Sequence, residues 1–149
     1  MAIAIAGTKP IIDKRYARFR LRVASSRIHR WGVYADQAIP AGRKVIEYAG
    51  EKIDRAEFER RQDMTYLFRL DDEWLIDGSA GGSGAEFVNH SCEPNLATRI
   101  LKGHILYFSR RSIGKGEELT IDYRYDDSGE RMTCRCGSKR CRGTINVEG

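Results

Sequence analysis

The chain has 149 residues, 41% of them hydrophobic and 32% charged, with a formal net charge of +5. That length and balance suit one domain with a core of its own, and they exclude a disordered chain and one that needs covalent staples to fold. No apolar run approaches the ~20 residues that cross a bilayer, and the apolar start, Met1 to Ala6, is too short for a signal segment and has no basic flank before it; an intracellular protein with no membrane partner is expected.

In chain order, Phe19 to Val23 alternates apolar and basic residues as a half-buried strand does. Gly32 to Ala35 and Arg43 to Tyr48 read as two more strands, joined by a turn at Ile39 to Gly42. Asp54 followed by Glu57 has the form of a capping box and opens a helix that runs to Gln62. Thr65 to Leu70 and Trp74 to Ile76 form a hairpin across Asp71 to Glu73. A glycine-rich loop, Gly78 to Gly84, leads into a helical turn from Ala85 to Asn89. Leu96 to Leu101 and His104 to Ser109 flank Lys102-Gly103, a second hairpin, and a last strand runs from Glu118 to Tyr123. Many short strands and little helix predict a mostly β domain of the α+β class. The glycine-rich loop lacks the Gly-Lys-Ser/Thr ending of a phosphate cradle, so nucleotide binding is not expected there.

The charge is unevenly spread. Lys9 to Arg30 holds eight bases and one acid, Glu47 to Asp77 ten acids and five bases, and Arg131 to Arg142 five bases and no acid. A basic frame around an acidic middle is a poor footprint for a nucleic-acid binder, so nucleic acid is not expected as a specific ligand. It favours a basic peptide lying against the middle segment.

Of the four cysteines, Cys134, Cys136 and Cys141 crowd into eight residues while Cys92 stands apart. The Cys-x-Cys pair is too strained for a mutual disulfide, and an intracellular chain does not ordinarily rely on disulfides. Zinc is the leading reading, with redox-active or spare thiols as the alternative.

Three blocks taken together resemble the SET family of protein lysine methyltransferases, in particular its trithorax/mixed-lineage-leukaemia type. They are SRIHRWGVYA from Ser26, continuing through Val45 to Glu51; AEFVNHSCEPN from Ala85; and GEELTIDYRY from Gly116, followed by CRCGSKRCRG. The resemblance covers roughly residues 22 to 145. It implies small curved sheets, a C-terminal pseudoknot that brings the NHSC and IDY segments together, and a zinc-bound post-SET tail. The corresponding division is an N-terminal extension (1–18), a SET domain (19–125) and a post-SET segment (130–146).

It also implies S-adenosylmethionine as methyl donor and a protein lysine, in a histone tail or another basic protein, as acceptor. The location would then be the cytoplasm in a prokaryote, or the nucleus and its chromatin in a eukaryote. By the same resemblance, His29, Trp31 and Gly32 form a loop approaching the cofactor, where a missing Cβ admits close contact. Asn89 and His90 hold its amino-acid end, and Arg135 lies near it. Tyr123 is the catalytic tyrosine and Tyr66 a second tyrosine of the lysine channel, near cofactor and lysine. Cys92 joins Cys134, Cys136 and Cys141 around one structural zinc, which four thiolates would close against catalysis. Ile121, two residues before Tyr123, lacks the hydroxyl that in some relatives restrains the reaction to one methyl. The chain departs from the family pattern at Arg30, Ser83 and Glu86, which keeps open a catalytically weak, peptide-binding version of the same fold.

Overall fold

A computed structural model describes residues 9–61, 65–125 and 130–147. Residues 1–8 of the expected extension and Gln62, the expected helix end, lie outside them. Among the described residues the strands are β1 (Leu21–Ser25), β2 (Trp31–Ala35), β3 (Lys44–Tyr48), β4 (Glu51–Asp54), β5 (Leu67–Arg69), β6 (Trp74–Asp77), β7 (Asn89–His90), β8 (Leu96–Leu101), β9 (His104–Ser109) and β10 (Glu118–Ile121), with one short α-helix, α1 (Arg55–Arg60), and two 3-10 turns, Lys14–Tyr16 and Ala85–Phe87. They form three small sheets, ordered β1-β2-β10-β7, β3-β9-β8 and β4-β6-β5. This is the mostly β architecture the sequence predicts.

Local chemistry explains most elements. In β1 the alternation turns Val23 inward opposite Val33 and leaves Arg22 outside. The β8–β9 hairpin turns through Lys102 and Gly103 at φ 51° and 79°, the left-handed pair whose twist matches that of the flanking strands. Asp54 caps α1 by accepting from the Glu57 N–H at 2.8 Å. The helix ends sooner than predicted. Arg61 leaves it, and its guanidinium bonds Glu51, Glu57 and Asp77 at 2.9, 2.9 and 2.8 Å.

Other differences are tertiary. β4 buries only Ile53 and gives no periodic signal; pairing with β6 makes it a strand. β2 and β3 are joined by the expected turn but belong to different sheets. β10 stops at Ile121 because the Tyr123 N–H donates to His90 Nδ1 at 3.0 Å instead of continuing the ladder.

The core lies where the sheets meet, with Val33, Val45, Ile46, Ile105, Tyr107 and Leu119 almost fully buried. Tyr48, Phe68 and Tyr107 pack as an aromatic trio with ring centres 5.2 to 6.4 Å apart, joining the second and third sheets. Ahead of β1, Arg18 N–H bonds Val45 O and Asp13 N–H bonds Ser83 O, each at 2.9 Å.

Asn95 stitches the loop after β7 to β10. Its Nδ2 donates to Glu118 O and its Oδ1 accepts from Thr120 N–H, both at 2.9 Å, and the residue is buried. Asn95→Ala leaves a buried carbonyl and a buried N–H without partners and should lower unfolding stability by about 2–4 kcal/mol. Urea denaturation followed by tryptophan fluorescence measures it; a loss below about 0.5 kcal/mol, the level of an ordinary surface change, would contradict this account.

Candidate functional site

The site grows from a parallel contact only two residues long. β7 lies beside β10 with Asn89 opposite Thr120 and His90 opposite Ile121, and Ser91 N–H continues it by bonding Ile121 O at 2.9 Å. This brings the NHSC and IDY segments together, as the expected fold requires. The buried His90 ring accepts the Tyr123 N–H at Nδ1, which leaves the ring proton on Nε2, 3.5 Å from Cys92 Sγ. Burial pulls the His90 pKa down against the nearby Asp122 carboxylate, so a neutral ring is favoured.

The Tyr123 hydroxyl donates to Val88 O at 2.6 Å. Burial, with the Tyr125 and Tyr66 hydroxyls nearby, pushes its pKa well above the ordinary phenol value. The phenol therefore stays protonated at neutral pH, with its proton committed to Val88 and its oxygen lone pairs left to accept. Tyr66 packs edge-on against Phe87 at 5.2 Å, and its carbonyl is fixed by the Tyr48 hydroxyl at 2.6 Å and the Gly78 N–H at 2.8 Å.

On the opposite side, His29 and Arg30 are exposed in the β1–β2 turn, and Trp31 is half-buried against the core. Trp31 O accepts from Asn89 Nδ2 at 2.8 Å, so the turn and the NHSC segment are tied directly. Gly32 is buried, and a Cβ there would overlap Glu118 Oε2. An open cleft of about 550 Å³ runs along this turn, walled by Ser26, Ile28, Tyr34, Glu118 and Cys136. Ser26, Tyr34 and Glu118 are not among the site residues the sequence reading names. They are recognisable only once β2 is registered against β10, which no local pattern discloses.

The two departures before NHSC have structural roles. Ser83 is fully buried and donates to Glu47 O at 2.6 Å, tying the glycine-rich loop to β3. Glu86 accepts from the Gly84 N–H at 2.7 Å within its own turn, and burial raises its pKa. No ion pair to Glu86 occurs among the described residues.

Cys92, Cys134, Cys136 and Cys141 place their sulfurs within 4.8 Å of one another, without a disulfide. The Cys92–Cys134 separation is 3.7 Å, close to the ~3.8 Å edge of a tetrahedron with 2.3 Å metal–sulfur bonds. Backbone N–H groups of Arg142 and Gly143 point at Cys92 and Cys141 sulfurs, at 3.3 and 3.4 Å. Burial opposes ionisation of Cys136, but the Cys92 and Ser138 N–H groups and the neighbouring thiols outweigh it and bring its pKa down to about 6. A set of four sulfurs, one already biased to thiolate and several receiving N–H bonds, is compatible with zinc. Arg135 is exposed between two of them.

Arg142 fastens this tail to the IDY segment with two bonds to Asp122, at 2.8 and 3.1 Å, and braces the tail itself with one to Ile145 O at 2.8 Å. Arg142→Ala should speed amide hydrogen exchange in residues 133–146 by about tenfold, a partly exposed charge-assisted pair carrying on the order of 1–2 kcal/mol. Exchange in β3 and β9 should not change. Equal acceleration throughout the domain, or none in the tail, would refute this local role.

The model of the SET domain family matches residues 30–124. Among curated proteins, the chain is 41% identical over 141 residues to a "Histone-lysine N-methyltransferase, H3 lysine-4 specific" of Aspergillus fumigatus, covering 85% of this chain and 11% of that protein. It is 41% identical over 142 residues to the "Histone H3-lysine(4) N-trimethyltransferase ATX1" of Arabidopsis thaliana, covering 87% and 13%. It is 42% identical over 135 residues to the "Histone-lysine N-methyltransferase trithorax" of Drosophila virilis, covering 83% and 4%. The chain thus spans only a small part of the length of each of these relatives.

Proposed function

The chain belongs to the SET-domain family, and on that premise we propose that it transfers a methyl group from S-adenosylmethionine to a lysine side chain, with histone H3 as the substrate its relatives' names point to and chromatin as its place of work. The observation that carries the reading is the β7–β10 contact, which gathers Asn89, His90 and Tyr123 beside the four thiols. The division into a SET domain over 19–125 and a post-SET segment over 130–146 is part of the same proposal.

S-adenosylmethionine, when bound, supplies a methyl carbon made electrophilic by a sulfonium. We assign its binding to the turn His29, Trp31 and Gly32, to Asn89 and His90, to Tyr66, and to Arg135 from the tail. The transfer is an in-line displacement, so the protein's task is alignment more than chemistry. The incoming lysine reacts only as a free amine, and we assign Tyr66 and Tyr123 to the walls of its passage, where withholding water from the ammonium would favour that form. Tyr123 does not take the proton; its raised pKa and its bond to Val88 O suit an oxygen acceptor that orients the amine and the methyl group.

Removing that oxygen tests the assignment. Tyr123→Phe should lower kcat at least a hundredfold with a labelled cofactor and an H3 peptide, because alignment errors of this kind cost on the order of 10². The cofactor Kd should stay within about twofold. Turnover near the wild-type rate would exclude Tyr123 as the catalytic residue.

The four cysteines would hold one zinc, which folds a tail with few apolar side chains of its own. Metal analysis of purified protein should find about one zinc per chain, and chelation or Cys136→Ser should disorder residues 133–146 and reduce activity. A metal-free preparation with full activity and an ordered tail would eliminate the site.

A further inference from the structure

We propose that Glu118 is a positioning residue of the cofactor site: it locks the side-chain amide of Asn89 so that only the amide oxygen is left to meet a ligand. The proposal rests on the reading of the site given above and names a residue outside the set assigned there. Glu118 opens β10 and turns its carboxylate towards the β1–β2 turn. Its two oxygens share the Ser26 hydroxyl proton, each 2.8 Å from Oγ, and Oε2 receives Asn89 Nδ2 at 3.0 Å; the Tyr34 hydroxyl, which donates to Ser25 O at 2.7 Å, lies 3.4 Å from Oε1. The space for this carboxylate exists because residue 32 is glycine.

Asn89 Nδ2 carries two hydrogens. One goes to Trp31 O and the other to Glu118 Oε2. Both partners can only accept, so the amide cannot flip without losing two bonds. Asn89 Oδ1 makes no hydrogen bond among the described residues, and it is not sealed from solvent, since no buried side-chain oxygen lacks a partner. Asn89 therefore offers a ligand one acceptor and no donor. That selects the positively charged amino group of an amino-acid moiety over its carboxylate. Glu118 and Ser26 also wall the open cleft, so the carboxylate that sets the amide is itself part of the ligand's surroundings.

Glu118→Gln keeps the volume and removes the charge: the Ser26 and Tyr34 hydroxyls can accept from its N–H₂ while its oxygen faces Asn89, so the bond that holds Asn89 Nδ2 falls from charge-assisted to neutral. Titration calorimetry on the full chain should show the S-adenosylmethionine Kd raised about fivefold, the difference between a charge-assisted and a neutral hydrogen bond, with the peptide KM changed less than about twofold. In an Asn89→Ala background the same substitution should add less than about twofold, because Glu118 acts through Asn89. A residue that merely supports the fold would cost the same in both backgrounds. Without any cofactor, the Asn89 side-chain amide resonances in a ¹⁵N spectrum should move in Glu118→Gln. Should that variant not fold, Ser26→Ala removes the hydroxyl anchoring the same carboxylate and should raise the Kd about two- to threefold, a neutral hydrogen bond being weaker. An unchanged Kd, equal losses in both backgrounds, or Asn89 resonances that stay in place would overturn the proposal. If the wild-type chain binds no S-adenosylmethionine, the functional reading falls, while the resonance shift still decides whether Glu118 holds Asn89.

Discussion

A parallel ladder of two residues is too short to be stable alone, since two strands usually need further strands or a packed face to persist. Yet the contact of Asn89–His90 with Thr120–Ile121 is where Asn89, His90 and Tyr123 are gathered. It survives because side chains supply the bonds that a longer ladder would have made. Asn95 satisfies Glu118 O and Thr120 N–H, His90 Nδ1 takes the Tyr123 N–H, and Val88 O takes the Tyr123 hydroxyl. Each of these groups is polar and largely withdrawn from water, where a missing partner costs more than a made bond returns. The site is thus held by mutual satisfaction of buried polar groups, and its geometry has little room to drift.

The same bonds link the site to the tail. Asp122 follows β10 immediately and is clamped by Arg142, one residue after the last cysteine. Cys92 follows His90 by two residues and meets Cys134 across the cluster. A shift of β10 therefore moves the tyrosine, the histidine and the sulfur cluster together. The cysteine-rich tail and β10 are thus tied to one another, although Cys92 and Cys134 lie 42 positions apart.

Much of the charge is used locally. The acidic middle segment suggests attraction of a basic peptide, but many of its acids are engaged within the protein. Glu51, Glu57 and Asp77 converge on Arg61, Asp72 pairs with Arg69, Glu47 meets His104, Asp54 caps α1, and Asp71 accepts from the Glu73 and Trp74 N–H groups. Glu59 and Glu73 are the acids of this stretch for which the described residues show no side-chain partner. The bonds fix the other carboxylates in place, yet three of them share the single charge of Arg61 and two accept only from backbone N–H groups, so the segment keeps a net negative charge.

The sequence by itself determined β1, whose side chains alternate, the β8–β9 hairpin around its Lys102-Gly103 turn, and the capped start of α1, because each depends on neighbours within a few residues. It also determined the family, since SRIHRWG, NHSC, IDY and the Cys-x-Cys run survive as contiguous words. It left β4, the early end of β10 and the separation of β2 and β3 into different sheets to the tertiary structure. Only the tertiary structure decided that Gly32 makes room for Glu118, that Asn89 keeps a single acceptor, and that Glu86 serves its own turn. These depend on register between strands far apart in the chain, where a shift of one residue would turn every side chain to the opposite face, and no local pattern encodes that register.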